Sequence, residues 1–280
     1  MILNNLYSQG SVVNGFVYSK STGEPLEFAN VFFKKNNIGT YTNKYGFFEL
    51  SNSNLIDTLI ISYIGHHDLY IVFAKFGAFS DTLFLENRDI LLPEVIITNK
   101  DFNLSNSRQI GYVNSKKINF ISSGSGVQFA VLISNPNKVK YSIIKGVSFL
   151  VKNKSLWPLV VKIHLYKNLN NSPGEELTKS EIVEFIYSNP TLKYSVDLNK
   201  FNILLPADGL YLGIEWVGIY HNNKINPTRN EYRDSQLGYT FEYDTEYTWR
   251  RFMTKPWEKV TKKDFPGNRK ALNCAFSVLY

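Results

Sequence analysis

Four histidines, a single cysteine and a set of carboxylates in the last third are the residues of this 280-residue chain with the means to do chemistry. His66 and His67 are adjacent, and neighbours on a strand point to opposite faces, so the pair cannot converge on one metal without a bend. His164 and His221 stand alone in the sequence, and neither His-x-x-Glu nor His-Glu-x-x-His occurs. Ser123-Gly124-Ser125-Gly126 lacks both the Gly-x-Ser-x-Gly pattern and the strand-turn-helix setting of a nucleophile elbow, and reads as a hairpin or loop. A Gly-x-x-x-x-Gly-Lys phosphate loop is missing as well. The expectation is no metal, no cofactor and no assigned catalytic residue.

The carboxylates pose a sharper question. Glu215, Glu231, Asp234, Glu242, Asp244 and Glu246 lie close in sequence to Trp216, Trp249 and Trp257, and glycoside hydrolysis needs two carboxyl groups roughly 5 to 9.5 Å apart. Glu215 sits between Ile214 and Trp216 in an apolar run, so on a strand it points to the outer face while its neighbours point inward. From Tyr239 to Trp257, aromatic residues alternate with Glu242, Asp244, Glu246, Arg250 and Arg251. Tyr, Trp and Arg can stack on sugar rings and hydrogen-bond hydroxyls, and the same aromatics can equally form the core face of a hairpin. The candidate ligand-binding set is Glu215, Trp216, Tyr247, Trp249, Arg250 and Trp257. A non-enzymatic binding or structural role is expected, with a glycan-active hydrolase as the alternative.

These residues must be held by strands. Val127 to Ile133, Gly146 to Val151, Leu159 to Tyr166, Glu181 to Ile186 and Leu210 to Val217 are β-prone runs separated by clusters such as Asn170-Asn171-Ser172-Pro173-Gly174 and Pro206-Ala207-Asp208-Gly209. Val161, Ile163 and Leu165 share one face, and Lys162, His164 and Tyr166 share the other, as a sheet with one dry and one wet face requires. The succession ending in Leu210-Tyr211-Leu212-Gly213-Ile214-Glu215-Trp216 loosely resembles jelly-roll modules of secreted bacterial proteins. Leu272, Cys274, Phe276, Val278 and Tyr280 form an apolar stripe of period two, which suits a last sandwich strand or the closing strand of a small eight-stranded outer-membrane barrel.

The first third carries the most specific pattern. It runs Gly15-Phe16-Val17-Tyr18, Thr22-Gly23-Glu24-Pro25-Leu26, Ala29-Asn30-Val31-Phe32-Phe33, Gly39-Thr40-Tyr41-Thr42-Asn43, Gly46-Phe47-Phe48-Glu49-Leu50 and Leu59-Ile60-Ile61-Ser62-Tyr63-Ile64-Gly65. The residues read as strands joined by turns, with Tyr45-Gly46 supplying a positive-φ position and Leu59 to Ile64 short and apolar enough to be buried on both faces. Leu83-Phe84-Leu85 and Val95-Ile96-Ile97 bring the total to about seven strands, a normal size for a sandwich. This order of motifs resembles the carboxypeptidase regulatory-like domain, a transthyretin-like β-sandwich of bacterial cell-envelope proteins, often placed ahead of TonB-dependent receptor plugs. The resemblance implies a non-catalytic appendage and an exported protein of the periplasm, outer membrane or cell surface. About 180 further residues cannot hold the 22-stranded barrel of such transporters, so envelope association is implied and transport is not.

Composition agrees with two all-β domains. Hydrophobic residues make up 44% of the chain, with 18 Tyr and 20 Phe favouring sheet. Residues 1–98 hold 6 Lys and Arg against 9 Asp and Glu, and residues 99–280 hold 25 against 15. Apart from Trp249-Arg250-Arg251 and Lys259 to Arg269 the basic residues are dispersed, as on solvent faces and strand edges, so nucleic acid is not an expected partner. One cysteine rules out an intrachain disulfide. No run of about 18 apolar residues suits a transmembrane helix. Residues 1–9 read as the remnant of a secretory signal or a disordered terminus, 10–98 as the regulatory-like sandwich, 99–110 as a polar linker, and 111–280 as the jelly-roll-like sandwich. The expected partner is an envelope protein or a glycan, with peripheral association to the outer membrane.

Overall fold

The structure, a computed structural model, describes residues 11–35, 37–52, 56–73, 79–88, 107–136, 142–222, 224–226, 235–243, 245–265 and 270–280. Among them there is no α-helix, and two compact units emerge. The all-β class and the two sandwiches read from the sequence are what the structure has. Val95-Ile96-Ile97, the terminus at 1–9 and the linker as far as residue 106 lie outside the described residues.

The first unit contains β1 (Ser11–Ser19), β2 (Asn30–Phe33), β3 (Gly39–Tyr41), β4 (Phe47–Asn52), β5 (Asp57–Ser62), β6 (Leu69–Phe73) and β7 (Phe79–Leu85). They form two sheets, β4-β1-β7 and β3-β2-β5-β6. Alternate residues of the two sheets meet in one core, Val13, Val17, Phe48, Leu50, Leu83 and Leu85 from the first against Val31, Phe33, Leu59 and Ile61 from the second. In β5, Leu59 to Ser62 are buried in succession, as a strand covered on both faces requires. The turn into β4 is an Asx turn: Asn43 Oδ1 accepts from the amides of Tyr45 and Phe47, and Gly46 adopts φ +75°. A Cβ there would lie 2.4 Å from the Val17 carbonyl oxygen, so glycine is required twice over. Thr42 is fully buried, accepts from the Ala29 amide at 2.8 Å and donates to the Leu26 carbonyl. Its hydroxyl satisfies two backbone groups that no strand partner reaches.

The second unit contains β8 (Gln109–Gly111), β9 (Asn119–Ile121), β10 (Val127–Ile133), β11 (Gly146–Asn153), β12 (Leu159–Leu169), β13 (Ser172–Glu176), β14 (Ile182–Ile186), β15 (Asn189–Asp197), β16 (Leu210–His221), β18 (Ser235–Thr240), β19 (Thr248–Phe252), β20 (Glu258–Lys259), β21 (Asn273–Cys274) and β22 (Phe276–Leu279), and the short β17 (Lys224–Asn226) follows β16 in the chain. One sheet runs β13-β12-β16-β10-β19-β20, with β14 also paired to β12; the other runs β21-β18-β11-β22-β8, with β15 on β11 and β9 on β18. Val131, Val161, Leu165, Leu212, Ile214 and Trp216 of the first sheet share a core with Val147, Phe149, Leu237, Cys274, Phe276 and Val278 of the second. The C-terminal apolar stripe thus belongs to a sandwich core and faces the opposite sheet, where a barrel would have turned it to lipid. Beside β22, Arg108 and Tyr280 exchange backbone hydrogen bonds of 2.9 and 3.0 Å.

The cluster Asn170 to Gly174 departs from its reading as a loop. Asn170 and Asn171, at φ 52° and 61°, make the whole two-residue turn, and asparagine tolerates this left-handed pair as hairpins demand. Pro173 and Gly174 lie in β13, at the sheet's edge, where a missing N–H breaks no ladder.

Candidate polar face of the second unit

Register places three lateral rows on the face of the large sheet that points away from the core. Lys162, Glu215, Gln128 and Arg251 form the first row across β12, β16, β10 and β19; His164, Gly213, Ala130 and Trp249 form the next; Tyr166, Tyr211 and Leu132 follow. The alternation of β12 is as the sequence implies, but this face is not wet. Lys162, Gln128 and Glu215 are at most 1% exposed, and His164 and Tyr166 are also buried. Each therefore needs a polar partner inside the protein.

His164, read from sequence as standing alone, is the hub of one network. Its Nε2 lies 2.8 Å from Glu215 Oε2 and its Nδ1 3.2 Å from Glu176 Oε2. Burial pushes the imidazole pKa down, but the two carboxylates outweigh it and raise the value to about 9. His164 is therefore an imidazolium at neutral pH, donating from both nitrogens. The other oxygen of Glu176 accepts from the Leu165 amide at 3.1 Å. It does so between the ends of β13 and β14 along β12, where the ladder has no strand to offer. Lys162 Nζ pairs with Glu181 at 3.1 Å.

A second network lies alongside. Tyr166 Oη accepts from Gln128 Nε2 at 2.8 Å and from Arg251 Nη2 at 2.7 Å, while Gln128 Oε1 accepts from Arg251 Nε at 2.6 Å. Gln128 reaches Tyr166 across β16 because Gly213 intervenes without a side chain; a Cβ there would stand 2.8 Å from Gln128 Nε2. The Arg251 guanidinium lies 4.3 Å from the Trp257 ring centroid, and Trp257 meets Tyr166 edge-on at 5.5 Å. Burial raises the Tyr166 phenol well above its ordinary pKa, with Arg251 pulling the other way, so the hydroxyl stays neutral. Arg251 and Trp257 are only partly buried and form the accessible rim.

The six residues singled out from sequence divide between environments. Glu215 is on this face, as its position implies, though tied to His164. Trp216 is fully buried on the core side, out of reach of any surface ligand. Trp249 and Trp257 pack over Ala130, Leu132, Tyr166 and Tyr211 on the polar face, and Tyr247 borders both this patch and the main core. Arg250 points to the opposite side from Trp249 and Arg251, where it meets Glu258 at 3.4 Å and Asp264 at 3.2 Å. Period two was the available signal: Arg251, two residues from Trp249, is the arginine on its face. Glu231, Asp234 and Asp244 lie outside the described residues. Glu242 accepts from the amides of Lys116 and Lys117, and Glu246 from that of Lys262, both as local loop anchors. In the first unit His66 contacts the Ile64 carbonyl and Ser19 Oγ, and in the second His221 stacks on Trp157 at 3.9 Å.

Residues 13–97 match the CarboxypepD_reg-like domain family. Among solved structures, the chain is similar to the cysteine protease and lectin-like domains of Cwp84, a surface layer associated protein of Clostridium difficile, at 12% identity and TM-score 0.40 over 97% of this chain and 58% of that one. It is similar also to a variant of the clostridial cysteine protease Cwp84 after propeptide cleavage, at 12% and 0.41 over 97% of this chain and 65% of that one. A DUF3823 family protein from Bacteroides uniformis matches at 10% identity and TM-score 0.22, over 77% of this chain and 95% of the other. The chain thus spans less than two thirds of the Cwp84 structures. No curated protein matches. With its motifs in order, its two sheets around one core and its family match, the segment 13–97 is a CarboxypepD_reg-like domain.

Proposed function

We propose that this chain is an exported, envelope-associated binding protein without enzymatic activity, and that its second unit binds a glycan on the polar face of the sheet β13-β12-β16-β10-β19-β20. The observation that carries the reading is the partly exposed Trp257 ring, packed against Arg251 and Tyr166, whose side chains are fixed by hydrogen bonds to each other and to the buried Gln128. An aromatic ring beside fixed donors is what sugar binding uses, and rigid placement lowers the entropic cost of association. The CarboxypepD_reg-like domain supports the envelope assignment, since the family it resembles sits on exported bacterial proteins. Against hydrolysis stands the geometry of Glu215 and Glu176: the imidazole of His164 bonds to both, so the ring occupies the place where a glycosidic oxygen would have to lie.

A glycan array and a parallel hydrolysis screen on the full chain test this, with Trp257→Ala and Glu215→Gln alongside. Binding that is lost in Trp257→Ala, without product release from any glycan, is the expected result. Turnover abolished by Glu215→Gln would overturn the non-enzymatic reading, and binding of proteins alone would overturn the glycan one.

A further inference from the structure

Among its described residues, the polar face holds one cation whose charge is not matched by a contact. Lys162 is paired with Glu181 and His164 with two glutamates. Arg250, on the other side of the sheet, is paired with Glu258 and Asp264. Arg251 differs: its hydrogen-bond acceptors, Gln128 Oε1 and Tyr166 Oη, are both neutral, and among the described residues no carboxylate forms an ion pair with it. Those bonds use Nε and Nη2, leaving Nη1 without an acceptor among the described residues. The guanidinium carbon also lies 4.3 Å from the Trp257 ring centroid and 5.3 Å from that of Tyr166. A surface arginine kept only for solubility would sample many rotamers; this one is held by four contacts.

A guanidinium so fixed, partly exposed and short of an anion is built to receive one. We infer that the glycan bound on this face is acidic, and that an oxyanion substituent of one sugar, a carboxylate or a sulfate ester, seats on Arg251 while that sugar lies against Trp257. This deepens the reading of the face as a glycan-binding surface and rests on it. Gln128 and Tyr166 act as positioning residues: they aim the guanidinium and contribute no charge of their own. The site owes its aim to Gly213, which lets Gln128 and Tyr166 meet across an intervening strand.

Isothermal titration of the full chain with galacturonate oligomers, a sulfated galactan and the neutral galactan tests the inference. Saturable binding of either acidic probe, at least ten-fold tighter than the neutral one and weakening as NaCl rises, is expected; which probe binds names the oxyanion. Arg251→Gln should weaken the acidic probe about ten-fold or more, and Arg251→Lys, which keeps the charge, by less. Thermal unfolding of both variants verifies that the fold is kept. Equal binding of neutral and acidic probes, lost in Trp257→Ala and indifferent to Arg251→Gln, would overturn the anion inference and leave the glycan reading standing. No binding of any probe, together with silence on the array, would overturn both.

Discussion

His164 Nε2 and Glu215 Oε2 are 2.8 Å apart on neighbouring strands, both buried, on the face of a sandwich sheet that does not contribute to its core. Two charged residues there would face solvent in an ordinary sandwich. Here they join β16 through β12 to Glu176 of β13, so three strands are tied by one imidazolium.

That tie is pH-dependent. The folded protein holds the His164 proton more tightly than the unfolded chain, so the contribution is complete below pH 6.5 and is lost as pH rises through about 9. The rise from 6.5 to about 9 corresponds to on the order of 3 kcal/mol. Urea unfolding at pH 6, 7.5 and 9.5 should show falling stability, and His164→Gln should flatten the dependence. A wild-type profile that rises over this range would contradict the assignment.

Gly213→Ala should destabilise the second unit by about 1–3 kcal/mol through overpacking. The nearest atom to the new methyl, Gln128 Nε2, ends a flexible side chain, but moving it breaks the bond to Tyr166. Chemical denaturation measures the loss, and weaker binding of acidic probes by the folded variant reports the displaced Arg251.

Two tryptophans should behave as opposites. Trp216→Ala empties a fully buried core position and should cost about 3–5 kcal/mol with no selective effect on ligand. Trp257→Ala, at the partly exposed rim, should cost less stability than Trp216→Ala and abolish binding.

In the first unit, Thr42→Val keeps the shape and removes the hydroxyl, leaving the Ala29 amide and the Leu26 carbonyl without that partner. A loss of about 1–3 kcal/mol is expected in equilibrium unfolding. An unchanged midpoint would mean that water takes over both bonds.

Cys274 is buried, and burial pushes its thiol up to about 12. Iodoacetamide should leave it unmodified in the native protein at pH 8 and label it in urea, read by mass spectrometry. Rapid native labelling would show that this part of the core opens.

Much of the first unit was legible because its strands are separated by residues with local conformational meaning. Gly46 could be read as a positive-φ position from Tyr45-Gly46 alone, and Leu59 to Ile61 as doubly covered from their uninterrupted apolarity. The second unit yielded its alternation but not its electrostatics. Period two assigns Lys162, His164 and Tyr166 to one face; what covers that face comes from Glu176, Glu181, Arg251 and Trp257, brought together by strand pairings that sequence spacing does not encode. His164 is the clearest case, isolated in the chain and bracketed by glutamates 12 and 51 residues away. Its one visible signal was a charged side chain every second residue on a strand whose other neighbours are apolar.

The reciprocal bonds between Arg108 and Tyr280 have a mechanical consequence. They hold Arg108 and Tyr280 side by side on antiparallel strands, so tension between residues 108 and 280 acts across the β8–β22 ladder and opens it one rung at a time. The sandwich would peel from that edge at low force, while Arg251 and Trp257, carried by the other sheet and its adjoining loop, kept their geometry under load.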